Sequence, residues 1–135
     1  PIVNFEENIV VEDCVFDNNA YQIKYGPNSV SGGFVRNNIF RNNVIENTSW
    51  VDIIQRGSPS CLLIHSISSF FSAPRYNKNI LITGNIFRNP HGDPTHIGID
   101  IRNATDVEIT DNVFEGFNQR VKIDSATTDN IQFVE

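Results

Sequence analysis

The sequence is poor in the residues that most often announce a mechanism. Its 135 residues hold no methionine, one tryptophan and two cysteines. Cys14 and Cys61 form no CxxC, which excludes a zinc ribbon. A disulfide between them stays open, but both lie in apolar runs, which favours two buried thiols. Basic residues are scarce too: ten Lys and Arg stand against sixteen Asp and Glu, a net charge of −6. Phosphate backbones require clustered Lys and Arg, so no nucleic-acid partner is expected. A neutral sugar is compatible with this balance, whereas a polyanion such as pectate would need a bridging cation. No apolar run approaches the roughly 20 residues of a transmembrane helix, so no membrane partner is expected. The opening Pro1-Ile2-Val3-Asn4-Phe5-Glu6-Glu7 has neither a basic n-region nor an apolar h-region and does not read as a signal peptide. With methionine missing altogether, the expectation is a processed chain or a piece of a longer one. Phosphate loops, nucleophile elbows and metal-binding helix motifs are absent, and no cofactor is expected. No apolar stripe of period 3.6 emerges, so few helices are expected.

What the sequence does have is a repeat. Asn79-Ile80-Leu81-Ile82-Thr83-Gly84-Asn85-Ile86-Phe87 is matched by Asp106-Val107-Glu108-Ile109-Thr110-Asp111-Asn112-Val113-Phe114 and by Asn8-Ile9-Val10-Val11-Glu12-Asp13-Cys14-Val15-Phe16. A weaker copy runs Gly32-Gly33-Phe34-Val35-Arg36-Asn37-Asn38-Ile39-Phe40, and a last one begins at Asp129-Asn130-Ile131-Gln132-Phe133. Phe16 and Phe40 are 24 residues apart, Phe40 and Phe87 are 47 apart, and Phe87 and Phe114 are 27 apart. The 47-residue gap reads as two coils with a degenerate one between. Alternation such as Ile80-x-Ile82 has period 2 and means strands. A second strand type recurs between motifs, as in Ile97-Gly98-Ile99-Asp100-Ile101 and Val121-Lys122-Ile123-Asp124.

One such coil cannot bury its apolar face alone, so coils stack around a continuous core. The chain is therefore expected to be a single all-β domain over residues 1–135, a right-handed parallel β-helix (solenoid) of about five to six coils. Phe16, Phe40, Phe87 and Phe114 should form one core column; Val11, Val35, Ile82, Ile109 and Phe133 should form another. Asn38, Asn85 and Asn112 should share a position with Cys14, where Asn suits a tight left-handed turn. The last repeat is unfinished at Glu135. Attachment to further coils, or end-to-end self-association, is expected there.

The motif set resembles the β-helix repeat of carbohydrate-active proteins: pectinases, alginate epimerases and lyases, phage tailspikes and several glycoside hydrolases. Leu63-Ile64-His65-Ser66-Ile67 and the stretch from Arg75-Tyr76-Asn77 to Phe87, continuing through Asp106 to Phe114, are similar to late coils of bacterial exo-α-1,3-galactosidases. The resemblance covers roughly half the chain. It implies the fold, a carbohydrate partner, and a parent chain that is extracellular or periplasmic. That family uses adjacent aspartates for catalysis, and this chain has no Asp-Asp pair. Pectin-cleaving hydrolases need Asp-Asp, Gly-His-Gly and Arg-Ile-Lys, of which only Arg120-Val121-Lys122 is faintly similar.

Three groups of residues are candidates for chemistry. Asp52, Asp100 and Asp124 lie on the second strand type and should face outward where Ile53, Ile99 and Ile123 face in. Carboxylates on adjacent coils would be about 5 Å apart, the spacing of a retaining glycosidase pair. Asp52 and Asp100 are thus the candidate catalytic carboxylates, with His65 as candidate acid. The alternative is a solvated salt-bridge ladder with Lys24, Arg102 and Lys122. His91, Asp93 and His96 crowd a polar loop that interrupts the repeat and are expected to contact substrate, or else to decorate a solvated Pro-Gly turn. A zinc site would need a fourth ligand, and no metal is expected. Trp50 and Tyr76, beside Arg75, are candidate sugar platforms. The leading reading is part of a glycoside hydrolase; the second is a non-catalytic module for glycan binding, adhesion or assembly.

Overall fold

The computed structural model describes residues 4–17, 23–25, 33–46, 60–64 and 77–135, with 4–6, 23–25 and 33–35 as backbone only. Among these residues there are fourteen strands and no helix. In chain order they are β1 (Asn4–Glu7), β2 (Val10–Glu12), β3 (Val15–Asp17), β4 (Ile23–Tyr25), β5 (Gly33–Arg41), β6 (Val44–Glu46) and β7 (Ser60–Ile64). There follow β8 (Asn77–Thr83), β9 (Ile86–Arg88), β10 (Ile97–Ile101), β11 (Ala104–Thr110), β12 (Val113–Glu115), β13 (Gln119–Ile123) and β14 (Asp129–Phe133).

The strands fall into three wholly parallel sheets. The first orders β1-β5-β8-β11-β14, with β2 also on β5; the second is β3-β6-β9-β12; the third is β4-β7-β10-β13. Parallel neighbours need a long crossover. Here the strands of the other two sheets supply it: from β2 onward the chain visits first, second and third sheet in unvarying rotation.

The sequence writes the corners as Asn and Asp. Asn8, Asn37, Asn79, Asp106 and Asn130 have φ of 48° to 58° and bend the chain within or just before the first-sheet strands. Asp13, Asn42 and Asp111 repeat the left-handed bend after those strands at φ of 53° to 55°, with Gly84 at 65° in the same row. Short polar side chains tolerate this region and glycine meets no Cβ penalty there.

Between corners, alternate residues point inward. Phe40, Ile80, Ile82, Val107 and Ile109 come from the first sheet, Ile45 and Phe87 from the second, and Leu62, Ile64, Ile99 and Ile101 from the third; all are buried in one cluster. Beside Ile80 and Val107 stands a buried polar exception, Asn38, whose Nδ2 has no hydrogen-bond partner among the described residues. The third sheet differs from the others. Every residue of β7 and β10 is buried, so the outer face of the sheet is covered over these two strands, while β13 is more exposed.

Register corrects one expectation. Phe40 pairs with Ile82 and Val11, not with Phe87. The column beside Phe87 is Phe16, Ile45 and Phe114. Val35 pairs with Glu6 rather than joining Val11. The true second copy is therefore Asn42-Asn43-Val44-Ile45. Repeat lengths become 29, 42 and 27 residues, then 24. The long gap is one enlarged repeat, with β5 pairing directly with β8.

The same shift identifies the inward asparagine ladder as Cys14, Asn43, Asn85 and Asn112. Each Oδ1 accepts the backbone N–H of the preceding rung: Asn43 from Cys14 at 3.0 Å, Asn85 from Asn43 at 2.9 Å, Asn112 from Asn85 at 2.9 Å. The amides also bond to one another, Asn43 to Asn85 at 3.1 Å and Asn85 to Asn112 at 2.9 Å. These residues follow the left-handed corner rather than forming it. Cys14 breaks the ladder. Cys14 is exposed, contrary to the expected burial, whereas Cys61 is buried, and the two form no disulfide. Cys14→Asn should restore one rung by donating to Asn43 Oδ1. We expect a gain of about 0.5–1.5 kcal/mol, the usual net value of one hydrogen bond, read as a raised urea midpoint at constant m.

Candidate functional site

A groove of about 510 Å3 runs across the outer side of the first sheet. It crosses four strands, β5, β8, β11 and β14, so its long axis follows the stack. One wall is the left-handed row Asn37, Asn79, Asp106 and Asn130. The floor is the outward row between the buried positions: Ile39, Leu81, Glu108 and Gln132. Backbone geometry explains both rows. The left-handed corner throws its side chain outward, and alternation turns the residue between two core positions to the same side.

The wall residues hold one another in line. Asn79 Nδ2 donates to Asn37 Oδ1 at 3.0 Å, and Asn130 Nδ2 donates to Asp106 Oδ1 at 2.6 Å. An amide has two N–H donors and a carbonyl with two lone pairs, so each exposed Asn keeps capacity toward a ligand. Lys78 Nζ stands 3.9 Å from Asp106 Oδ2. Glu108 is exposed and makes no ion pair among the described residues. Successive rungs present these groups at about 4.8 Å intervals, the strand spacing. That is close to the advance of one pyranose ring along an extended chain.

The carboxylate candidate on the third sheet sits differently from its expected outward, solvated position. Asp100 is fully buried on β10, between Leu63 of β7 and Lys122 of β13. Arg102 grips both oxygens, Nη2 to Oδ2 at 2.7 Å and Nε to Oδ1 at 3.2 Å. This bond, with Asp124 nearby, raises the Arg102 pKa against its partial burial. Asp124 does not stack on Asp100; it accepts Thr127 Oγ1–H at 2.8 Å and closes its own turn. Asp100 and Asp124 thus form no stacked carboxylate pair.

His91, Asp93 and His96 lie in the turn between β9 and β10. Asp93 Oδ1 accepts from Thr95 N at 2.9 Å and Thr95 Oγ1 at 2.7 Å, and Asp93 Oδ2 is 3.8 Å from His96 Nε2. Asn89 Nδ2 anchors the turn by donating to the Asp93 carbonyl at 2.9 Å. His91 is exposed. No set of three His, Cys, Asp or Glu residues is placed to hold a metal among the described residues.

The Asp93 pKa is lowered, first by the Thr95 hydroxyl bond, then by the Thr95 backbone bond, with a smaller contribution from His96. A folded value below the unfolded one adds stability above the ordinary carboxylate range and loses it as the pH falls through the depressed value. Acidification past that point should lower the exchange protection factor of the Thr95 amide, while the Val113 N–H, bonded to the Asn85 carbonyl at 2.8 Å, keeps its own.

Asp52, His65, Trp50, Arg75 and Tyr76 lie outside the described residues. Among the described residues, the groove gathers none of the residues that sequence reasoning selected. One signal was present: an Asn or Asp immediately precedes the first aliphatic at Asn8, Asn79, Asp106 and Asn130, and Asn37 stands at the same register position before Asn38. No known protein family matches the chain, and a search of curated proteins found no match.

Proposed function

We propose that the three sheets close into a right-handed parallel β-helix, and that the chain is a non-catalytic module that holds an extended glycan along the first-sheet groove. The unvarying rotation of strands through three parallel sheets supports the coil. Right-handed connection is the rule for parallel crossovers. The groove carries the functional reading. Amides repeat along it at the strand spacing beside the aliphatic Ile39–Leu81 strip, and a sugar chain offers the matching pattern of polar ring edges and apolar ring faces. The resemblance to polysaccharide-active β-helices supports the same substrate class and an extracellular or periplasmic parent. The buried, Arg102-bound state of Asp100 favours binding over hydrolysis, because a general acid or nucleophile must reach its substrate.

A glycan array probed with the chain, and with Leu81→Arg to fill the groove, tests this. Leu81 is half-buried on the outer side, so the variant should fold. Binding that Leu81→Arg abolishes is expected. A panel of p-nitrophenyl glycosides with pectic and alginate polymers completes the test. Turnover lost in Asp52→Asn or Asp100→Asn would overturn the non-catalytic reading in favour of a glycoside hydrolase.

A further inference from the structure

The four rungs of the groove are not alike. On β5 and β8 the floor is aliphatic, Ile39 in register with Leu81, and the wall is neutral amide. On the next rung the floor becomes Glu108, in register with Leu81, and the wall becomes Asp106. The groove therefore changes from apolar and neutral to anionic within one strand spacing. Lys78 approaches Asp106 at 3.9 Å and offsets part of one charge. Arg36, its register partner, likewise precedes the wall row and lies outside the groove lining. Glu108 has no such partner among the described residues.

We infer that the groove takes an amino-sugar glycan, with an N-acetyl methyl over Ile39 and Leu81 and a protonated amine beside Asp106 and Glu108. The inference rests on the glycan reading above and narrows it to a substrate class. An acetamido group brings both a methyl for the aliphatic strip and an amide for Asn79. An ammonium satisfies the carboxylates of the next rung. A neutral hexose chain can lay its ring faces on the strip but brings neither the methyl nor the cation, and a uronate chain is repelled by both carboxylates.

The test is calorimetric titration with chito-oligosaccharides, fully acetylated and partly deacetylated, against cello-oligosaccharides and oligogalacturonate. Partly deacetylated oligomers should bind tightest and weaken with added salt, as exposed charge pairs do. Glu108→Gln, at an exposed strand position, should reduce that affinity about tenfold, as when a charge-assisted hydrogen bond becomes a neutral one. Fully acetylated oligomers, which bring no cation, should lose less affinity than partly deacetylated ones. Cello-oligosaccharide or oligogalacturonate binding as tightly as the partly deacetylated oligomers, with Glu108→Gln unchanged, would overturn the inference and leave the glycan reading standing. Binding to none of the four would sink the glycan reading and the inference with it.

Discussion

Asn85→Ala should cost about 3–5 kcal/mol, because it strips partners from several buried groups at once. Asn85 is fully buried. Its Oδ1 is the acceptor for the Asn43 backbone N–H at 2.9 Å, and its Nδ2 donates to the Phe40 carbonyl at 2.9 Å, the Thr83 carbonyl at 3.1 Å and Asn112 Oδ1 at 2.9 Å. Each buried polar group left bare costs about 1–3 kcal/mol. A 135-residue chain has roughly 7–20 kcal/mol of stability in all, so the variant should lose a large share of it. Asn85→Asp should be worse still, since an anion would face three acceptors. The exposed wall residue Asn130 provides the contrast. Its Asn130→Ala variant removes one surface hydrogen bond, and denaturation should barely register it. Urea midpoints at constant m compare the three.

Phe87→Ala should be comparably severe, at about 3–5 kcal/mol for a fully enclosed ring. Phe87 has no exposed surface and lies flat on Phe114, with centroids 5.0 Å apart and planes 7° from parallel. Phe114 in turn meets Phe117 and Phe133 edge-on. Loss of Phe87 leaves a void between Ile45 and Phe114 that the strands on either side cannot close, because ladder hydrogen bonds fix their spacing. Phe114→Ala should cost less, since that ring is only partly buried. The ordering Phe87 above Phe114 is the check.

Particular residues show what the sequence could disclose and where it misled. The copies Asn79–Phe87 and Asp106–Phe114 pair residue for residue, Ile80 on Val107 and Phe87 on Phe114. Equal length and strict period 2 made them legible. The second copy was not, because Asn37-Asn38-Ile39-Phe40 and Asn42-Asn43-Val44-Ile45 both spell Asn-Asn-aliphatic-apolar. Strand register and the hydrogen bonds of Asn43 to Cys14 and Asn85 separate them. Asp100 was placed on the outer face by alternation, which says which side a residue faces but not what lies over that side. The groove escaped notice for a related reason. Its floor is Ile39, Leu81, Glu108 and Gln132, four residue types at one register position, so no repeated letter marks it.

The groove and the third sheet are competing locations for function, and they occupy different faces. The first carries exposed amides and an unpaired glutamate among the described residues. The second carries an aspartate already bonded through both oxygens to Arg102. Amide-shift mapping by NMR during titration with partly deacetylated chito-oligosaccharide separates them most directly. Binding in the groove predicts shifts along Asn37, Ile39, Asn79, Leu81, Asp106 and Glu108, with Ile97–Ile101 and the 90–96 turn unmoved. Shifts confined to Ile97–Ile101 and that turn, with the first sheet unmoved, would contradict it.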